Sequence, residues 1–110
     1  MLVSSLTKDD IMSKVLQADK VRKFLERANI KCPGNDRKIQ SMVRKILSKL
    51  NKTDRYVAEL RFGFESGCIY KRSVVAHLRQ TKSRQIQIIE WAIFARARAI
   101  YEEEIQKRAA

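Results

Sequence analysis

Apolar residues recur along this chain every three or four positions, which is the spacing of one face of an α-helix. The strict apolar and polar alternation of a half-buried strand is not the dominant pattern. Only three glycines and one proline occur in 110 residues, which leaves little room for hairpin turns. The pattern predicts an all-α protein that folds as a compact bundle of about five helices.

The N-terminal part of the chain is predicted to form a pair of amphipathic helices. The first begins at Thr7, a residue type that caps helix N-termini, and ends near Asn29. Its apolar face comprises Ile11, Met12, Val15, Leu16, Val21, Phe24, Leu25 and Ala28. The adjacent Pro33 and Gly34 then break the helix.

The second helix is predicted to begin at Asn35 or Asp36, either of which can cap it. Its apolar face comprises Ile39, Met42, Val43, Ile46, Leu47 and Leu50. Its other face carries a cationic strip, namely Arg37, Lys38, Arg44, Lys45, Lys49 and Lys52. This strip is either an ordinary solvated surface or a set of phosphate contacts.

Two short helices are predicted next. The third helix begins at Thr53 or Asp54 and ends at Gly63, which permits a left-handed turn. A loop over residues 65–69 leads to a fourth helix over about residues 70–79. The inward-facing residues of the two helices are Tyr56, Val57, Leu60, Val74, Val75 and Leu78.

A polar turn around Gln80 and Thr81 leads to a long fifth helix that starts near Lys82. At about 100° per residue, one side of this helix is apolar and faces the core. That side comprises Ile86, Ile89, Ile93, Ala97 and Ile100, with Phe94 and Tyr101 at its edge. Short helices, a turn and a long helix in this order predict a C-terminal helix-turn-helix, whose second helix reads the major groove of DNA.

The beginning of the fifth helix directs polar side chains away from the core. Arg84 lies nearly opposite the apolar side, and Gln85 and Gln87 flank it. Lys82 and Ser83 occupy the first turn. Arg and Gln make bidentate hydrogen bonds with guanine and adenine edges, so these five residues form the predicted base-reading set. The alternative is an ordinary solvated helix start.

A second apolar patch lies on the fifth helix, away from the main core side, at Ile88, Trp91, Ala92 and Ala95. A helix that is apolar nearly all round must be covered from two sides. We expect the N-terminal helices to cover this patch. Otherwise Ile88, Trp91 and Ala95 form a protein interface, either in a homodimer or with another protein.

The charge of the chain favours a nucleic-acid partner. Twenty-four Lys and Arg against twelve Asp and Glu leave a net charge of +12, and this excess in a small protein indicates a polyanionic partner. The basic residues are spread along the chain, so RNA or non-specific DNA binding also fits. We expect one domain over residues 1–110, with a helical pair over 1–52 and the helix-turn-helix over 53–110.

Other classes of function have less support. No apolar run reaches the roughly 18 to 20 residues of a membrane span, and the start of the chain lacks the order of a signal peptide, so we expect a cytoplasmic protein. Cys32 and Cys68 lack the spacing of zinc ligands. His77 is the only histidine, and the chain has no carboxylate pair or glycine-rich phosphate loop. We therefore expect no enzymatic activity, no metal and no cofactor.

Three short segments carry a resemblance to a known family. They are ELRFG at residues 59–63, QIQIIE at residues 85–90 and the alanine- and arginine-rich stretch at residues 92–98. The first resembles the LRFG, and the second the recognition-helix pattern RVRQIE, of region 4 of bacterial RNA polymerase sigma factors. The match extends from about Thr53 to Arg98 and is also similar to the short region-4-like regulators of phages and prophages.

The resemblance implies a bacterial or phage protein of the cytoplasm or nucleoid that binds promoter-like duplex DNA, with RNA polymerase as a second partner. The positions where the family reads bases correspond to Lys82, Ser83, Arg84, Gln85 and Gln87. Lys71 and Arg72 correspond to its phosphate-gripping positions, and we add Arg79, at the end of the same predicted helix.

The chain also departs from the family pattern. Arg79 and Gln80 occupy the place of a Leu-Gly pair in the turn, and Gln85 and Gln87 replace two arginines. About 52 preceding residues are too few for the core-binding and promoter-melting regions of a sigma factor. The resemblance therefore implies the DNA-binding mode of the family, without its sequence preference or its whole activity.

These observations predict a sequence-specific DNA-binding regulator of transcription. Two alternatives stay open. One is a protein-interaction module that binds RNA polymerase or another regulator without reading DNA. The other is a non-specific nucleic-acid-binding protein, which the spread of basic charge favours.

Overall fold

The computed structural model describes residues 15–109, and in this range the chain forms five α-helices and no β-strand. In chain order they are α1 (Ala18–Arg27), α2 (Asp36–Lys49), α3 (Lys52–Phe62), α4 (Arg72–Leu78) and α5 (Ser83–Ala109). The all-α prediction is confirmed. The predicted helix start at Thr7, with Ile11 and Met12, lies outside the described residues.

Helix α1 begins later than the sequence predicts. Residues 15–17 are not helical, and the Val15 side chain is 81% exposed instead of lying on the apolar face. The Gln40 side chain provides the reason, because its amide accepts a hydrogen bond from the Leu16 N–H and donates one to the Leu16 carbonyl. The end of the helix is close to the prediction, with Asn29 in the left-handed conformation at φ 59°.

Asparagine side chains cap the N-termini of both α2 and α3. The Asn35 side chain accepts a hydrogen bond from the Lys38 N–H at 3.0 Å, as predicted for α2. The Asn51 side chain accepts one from the Asp54 N–H at 2.8 Å, so α3 starts earlier than the predicted Thr53 or Asp54. The predicted apolar face of α2 is buried at Met42, Val43, Ile46, Leu47 and Leu50.

Gly63 ends α3 in the left-handed conformation that the sequence predicts, at φ 65°. Its N–H donates to the Glu59 carbonyl at 2.8 Å. A Cβ atom at this position would lie 2.7 Å from the Cys68 carbonyl oxygen, so only glycine fits this close approach. Residues 64–71 then form a loop, and α4 begins at Arg72.

Helix α5 contributes the central part of the core and contacts α2, α3 and α4. Its predicted core side is confirmed by the burial of Ile86, Ile93, Phe94, Ala97 and Ile100. Phe94 packs in an aromatic cluster with Phe24, Phe62 and Phe64, whose ring centroids lie 5.1 to 5.8 Å apart. This cluster joins α1 and the end of α3 to α5.

Helix α4 is buried along one narrow side only. Val75 and Ala76 are buried, but Val74 and Leu78 are 41% and 47% exposed, so their predicted place in the core is wrong. Val74 and Leu78 are four residues apart and therefore share the side of the helix that faces solvent. Among residues 15–109, this seven-residue helix packs against α3 and α5 and has no third element to cover that side.

Candidate nucleic-acid interface

The connection between α4 and α5 is a tight turn with a defined hydrogen-bond pattern. Gln80 adopts the left-handed conformation at φ 54°. The Gln80 N–H donates to the His77 carbonyl at 3.1 Å, and the Thr81 N–H donates to the Ala76 carbonyl at 2.9 Å. These two bonds form a Schellman motif, which satisfies the last carbonyls of α4 and fixes where α5 starts.

The structure brings the five predicted base-reading residues together at the start of α5. Lys82, Ser83, Arg84 and Gln85 are exposed, and Gln87 is half-buried. The first turn of α5 contains no acidic residue, so its positive dipole end adds to the charge of these side chains. This end of α5 can therefore present hydrogen-bond donors, acceptors and positive charge to an anionic surface.

A shallow depression adjoins this end of α5. Its lining residues are His77, Gln80, Thr81, Lys82 and Gln85. All five side chains are exposed. The depression continues the polar surface from the end of α4 across the turn to α5.

The three predicted phosphate contacts lie at the two ends of α4. Lys71 is exposed and precedes the first residue of the helix. Arg79 is exposed at the other end, with its guanidinium carbon 5.5 Å from the centre of the Tyr56 ring. Arg72 differs because its Nε donates to the Glu90 carboxylate at 2.9 Å, which occupies part of its hydrogen-bonding capacity.

The cationic strip predicted on α2 is only partly available for phosphate contacts. Lys45 and Lys49 lie 2.9 and 3.2 Å from the carboxylate oxygens of Glu104, near the end of α5. Lys52 is the first residue of α3 and does not belong to α2. The strip was predicted from helix periodicity alone, which cannot show that an acidic residue of a distant segment faces it.

Glu90 forms a buried ionic cluster that the sequence does not predict. Its side chain is 1% exposed and lies 2.7 Å from Arg61 Nε, 2.9 Å from Arg72 Nε and 3.7 Å from an Arg27 terminal nitrogen. Burial raises the pKa of Glu90, but the hydrogen bonds from Arg72 and Arg61 outweigh burial and hold this pKa below its usual value. The cluster ties α1, α3 and α4 to α5 beside the candidate interface.

The second apolar patch of α5 is exposed. Ile88 is 42% and Trp91 is 60% exposed, and Ala92 and Ala95 also face solvent. The prediction that the N-terminal helices cover it is wrong for α1 and α2. Near the end of α1, the Ala28 carbonyl accepts a hydrogen bond from Arg98, and α2 reaches Glu104, so both helices pack on other faces of α5.

Three further features concern the described part of the chain. Among residues 15–109, no group of three His, Cys, Asp or Glu side chains is placed to hold a metal ion. No helix in this range combines the length and the apolar character that a membrane crossing requires. Cys32 is half-buried, Cys68 is exposed, and both are free thiols.

No family model, curated protein or solved structure matches this chain. A functional assignment therefore depends on how the chain arranges its own residues. The most informative arrangement is the polar first turn of α5, exposed beside the tight turn that joins α4 to α5.

Proposed function

We propose that this protein is a sequence-specific DNA-binding regulator of transcription, with α4, the turn and α5 acting as a helix-turn-helix. The observation that carries the proposal is the exposure of Lys82, Ser83, Arg84 and Gln85 at the start of α5, with Gln87 at its edge. The role is binding rather than catalysis, and the partner is double-stranded DNA.

The dimensions of the duplex favour this mode of binding. The major groove is about 12 Å wide and admits an α-helix, whose first turns then face the base edges. Arg84 can pair with guanine, and Gln85 and Gln87 can pair with adenine, through bidentate hydrogen bonds. Lys71 and Arg79 lie at opposite ends of α4, where each can contact the phosphates that border the groove.

The conformation of Gln80 supports the resemblance to sigma factor region 4. The family usually has glycine at the position of Gln80, and a left-handed φ of 54° is a conformation that glycine adopts without strain. The departure in sequence therefore does not require a departure in the geometry of the turn. On this resemblance we propose RNA polymerase as a second partner.

Nuclear magnetic resonance tests where DNA binds. A duplex that carries the motif selected by the wild-type protein, added at about 150 mM salt to limit non-specific electrostatic contacts, should shift the amide signals of residues 79–88 and of the start of α4 most strongly. Arg84→Ala should weaken binding more than Arg108→Ala, which removes the same charge from the exposed far end of α5. Shifts confined to other surfaces, or equal losses in both variants, would contradict the proposal.

The exposed apolar patch favours a second candidate function, a protein-interaction module. Trp91 and Ile88 lie three residues apart on one face of α5 and form part of a patch that has no partner within the described chain. Gel filtration with and without RNA polymerase core enzyme tests this function. Co-elution that Trp91→Ala abolishes, without any DNA binding by the wild-type protein, would favour the interaction module over the DNA reader.

A further inference from the structure

A small basic cavity lies between α1 and the end of α3. It is lined by Lys20, Lys23, Arg27, Arg61, Phe62 and Ile69, and its volume is about 90 Å³. Cavities that hold organic ligands are usually about 300 to 1,000 Å³, so this one suits a single small group that projects from a larger molecule. The lining indicates the charge of that group, because four of the six residues are cationic.

Positive charge remains in excess around the cavity after the local acids are counted. Lys20, Lys23, Arg27, Arg61 and Arg72 contribute five positive charges. Asp19, which lies 3.3 Å from Lys20, and Glu90, which the arginines surround, contribute two negative charges, leaving a local balance of +3. Lys23 is exposed and has no ion-pair partner within residues 15–109. An anion is therefore the expected occupant.

Two residues in the wall of the cavity connect it to the elements of the candidate interface. Ile69 in its wall comes two residues before Lys71, which precedes α4. Arg61 in its wall contacts Glu90, which follows Ser83 by seven residues, or about 10 Å along α5. A duplex carries one negative charge per about 1.7 Å of its axis, so a backbone that borders the groove at α5 offers many phosphates at this range.

We propose that Lys20 and Lys23 of α1 clamp a backbone phosphate of the same duplex that α5 reads. Arg27, which pairs with Glu90 and lies over the Phe62 and Phe94 rings, contributes its charge to the site. This inference rests on the proposed function and extends the DNA contact to a helix outside the helix-turn-helix. The Lys20 side chain is 17% exposed and that of Arg27 is 45% exposed, so the cations form a partly desolvated rim. Phe62 and Ile69 supply apolar walls, which strengthen the attraction by excluding water.

The dependence of DNA affinity on salt concentration tests the clamp. The double variant Lys20→Ala and Lys23→Ala is compared with the double variant Lys107→Ala and Arg108→Ala, which removes the same charge from the far end of α5. Each phosphate contact contributes about 0.9 to the slope of log K against log[salt]. The α1 variant should reduce the magnitude of this negative slope by about 1 and should select the same motif from a random library as the wild-type protein. The control should change neither the slope nor the motif.

The reciprocal variant Asp19→Asn removes the acid that competes for Lys20 and should strengthen binding to the same duplex. Urea unfolding of each variant checks that the fold is intact. If the α1 variant and the control show the same dependence of DNA affinity on salt, the clamp is overturned. In that case a motif selected by the wild-type protein would still support the proposed function. If the wild-type protein selects no motif, the proposed function fails, and the clamp on a specifically bound duplex fails with it.

Discussion

Glu90 illustrates how one buried side chain organises this protein. It accepts hydrogen bonds from Arg61 and Arg72, and Arg27 approaches the same carboxylate from α1. Burying a carboxylate costs several kcal/mol unless charge and hydrogen bonds compensate. Here cations from three helices provide that compensation, so the relative positions of these helices depend on one acid of α5.

Replacing Glu90 by glutamine should therefore destabilise the fold strongly. Glu90→Gln keeps the size of the side chain but leaves the surrounding arginines without a counter-charge, and we expect a loss of about 3 kcal/mol in the free energy of unfolding. Urea unfolding followed by circular dichroism measures the loss. The control is Glu102→Gln at an exposed position of the same helix. Equal stabilities of the two variants would show that the cluster does not hold the fold together.

The sequence predicts the core at the residue scale better than it predicts this cluster. Ile86, Ile93 and Ala97 are identified by periodicity because one helix determines their common face. The arginines around Glu90 come from segments that are distant in sequence, and no local pattern shows that they converge. The only available signal was that Glu90 is the one acid among the basic residues between Ile69 and Arg98.

At the scale of elements, left-handed residues mark the ends of helices, as Asn29 does after α1. Gly63 ends α3, and Gln80 ends α4 directly before the candidate interface. The two positions differ in what surrounds them. A Cβ at Gly63 would meet the backbone at Cys68, whereas Gln80 already has a side chain, which is exposed.

Comparing alanine substitutions at Gly63 and Gly67 should separate the cost of a steric clash from the cost of backbone strain. Gly63→Ala combines a left-handed alanine with a contact of 2.7 Å to the Cys68 carbonyl, and we expect a loss above about 2 kcal/mol. The matched control is Gly67→Ala, which has φ 78° but no neighbouring atom closer than 3.8 Å, and its expected loss is about 1 kcal/mol. Thermal unfolding measures both. A smaller loss at Gly63 than at Gly67 would be inconsistent with the close approach of residue 68.

Glycine at position 80 should stabilise the protein. Gln80→Gly relieves the cost of a left-handed glutamine, and we expect a gain of about 0.5 to 1 kcal/mol in the free energy of unfolding. Gln80→Ala is the control, because it shortens the side chain without relieving the backbone, and it should give no gain. Urea unfolding distinguishes the two variants. A destabilised Gln80→Gly protein would argue against the left-handed turn.

The ends of a helix can be predicted from the sequence where a residue at that end determines them. Gly63 was identified because glycine is favoured at a left-handed helix end, and Asn35 because its side chain caps the following helix. The start of α1 was not predictable. The residue that keeps Leu16 out of the helix is Gln40, which is 24 positions away. Likewise, no local pattern indicates that Val74 and Leu78 are left exposed by the other helices of the described range.

At the scale of the whole molecule, ion pairs join α2 to the far end of α5. Lys45 and Lys49 of α2 donate hydrogen bonds to Glu104 near the end of the 27-residue α5. The hydrogen bonds from Lys45 and Lys49 lower the pKa of Glu104 to about 2. The far half of α5 is therefore held against α2, while Ser83, Arg84 and Gln85 in its first turn stay exposed.

This contact should make stability depend on pH in the acid range. Because the folded-state pKa of Glu104 is lowered from 4.5 to about 2, its contribution is complete above pH 4.5 and is lost as the pH falls toward 2. The wild-type protein should thus lose more stability across this range than Glu104→Gln. Glu90, with a lowered pKa, and Glu59, whose pKa burial raises, titrate in both proteins, so the difference isolates Glu104. Parallel curves of unfolding free energy against pH for the wild-type protein and Glu104→Gln would contradict this contribution of Glu104.

The candidate site was predicted from the sequence in part. Helix periodicity alone directs Arg84 and Gln85 away from the core, and the structure finds both exposed. The basic cavity at Lys20 and Lys23 was not predictable, because its walls come from α1, α3 and the loop before α4. The coverage of Trp91 was predicted wrongly because helix amphipathicity does not specify which neighbour packs against a face.

Selection from a random duplex DNA library at about 150 mM salt tests the central claim most directly. The wild-type protein and the control Arg108→Ala should enrich one common motif. Arg84→Ala and Gln87→Ala should relax it at one or two base pairs, each with a loss of about 1 to 3 kcal/mol in discrimination. No enrichment by the wild-type protein, with binding that disappears as salt rises, would contradict sequence reading by α5.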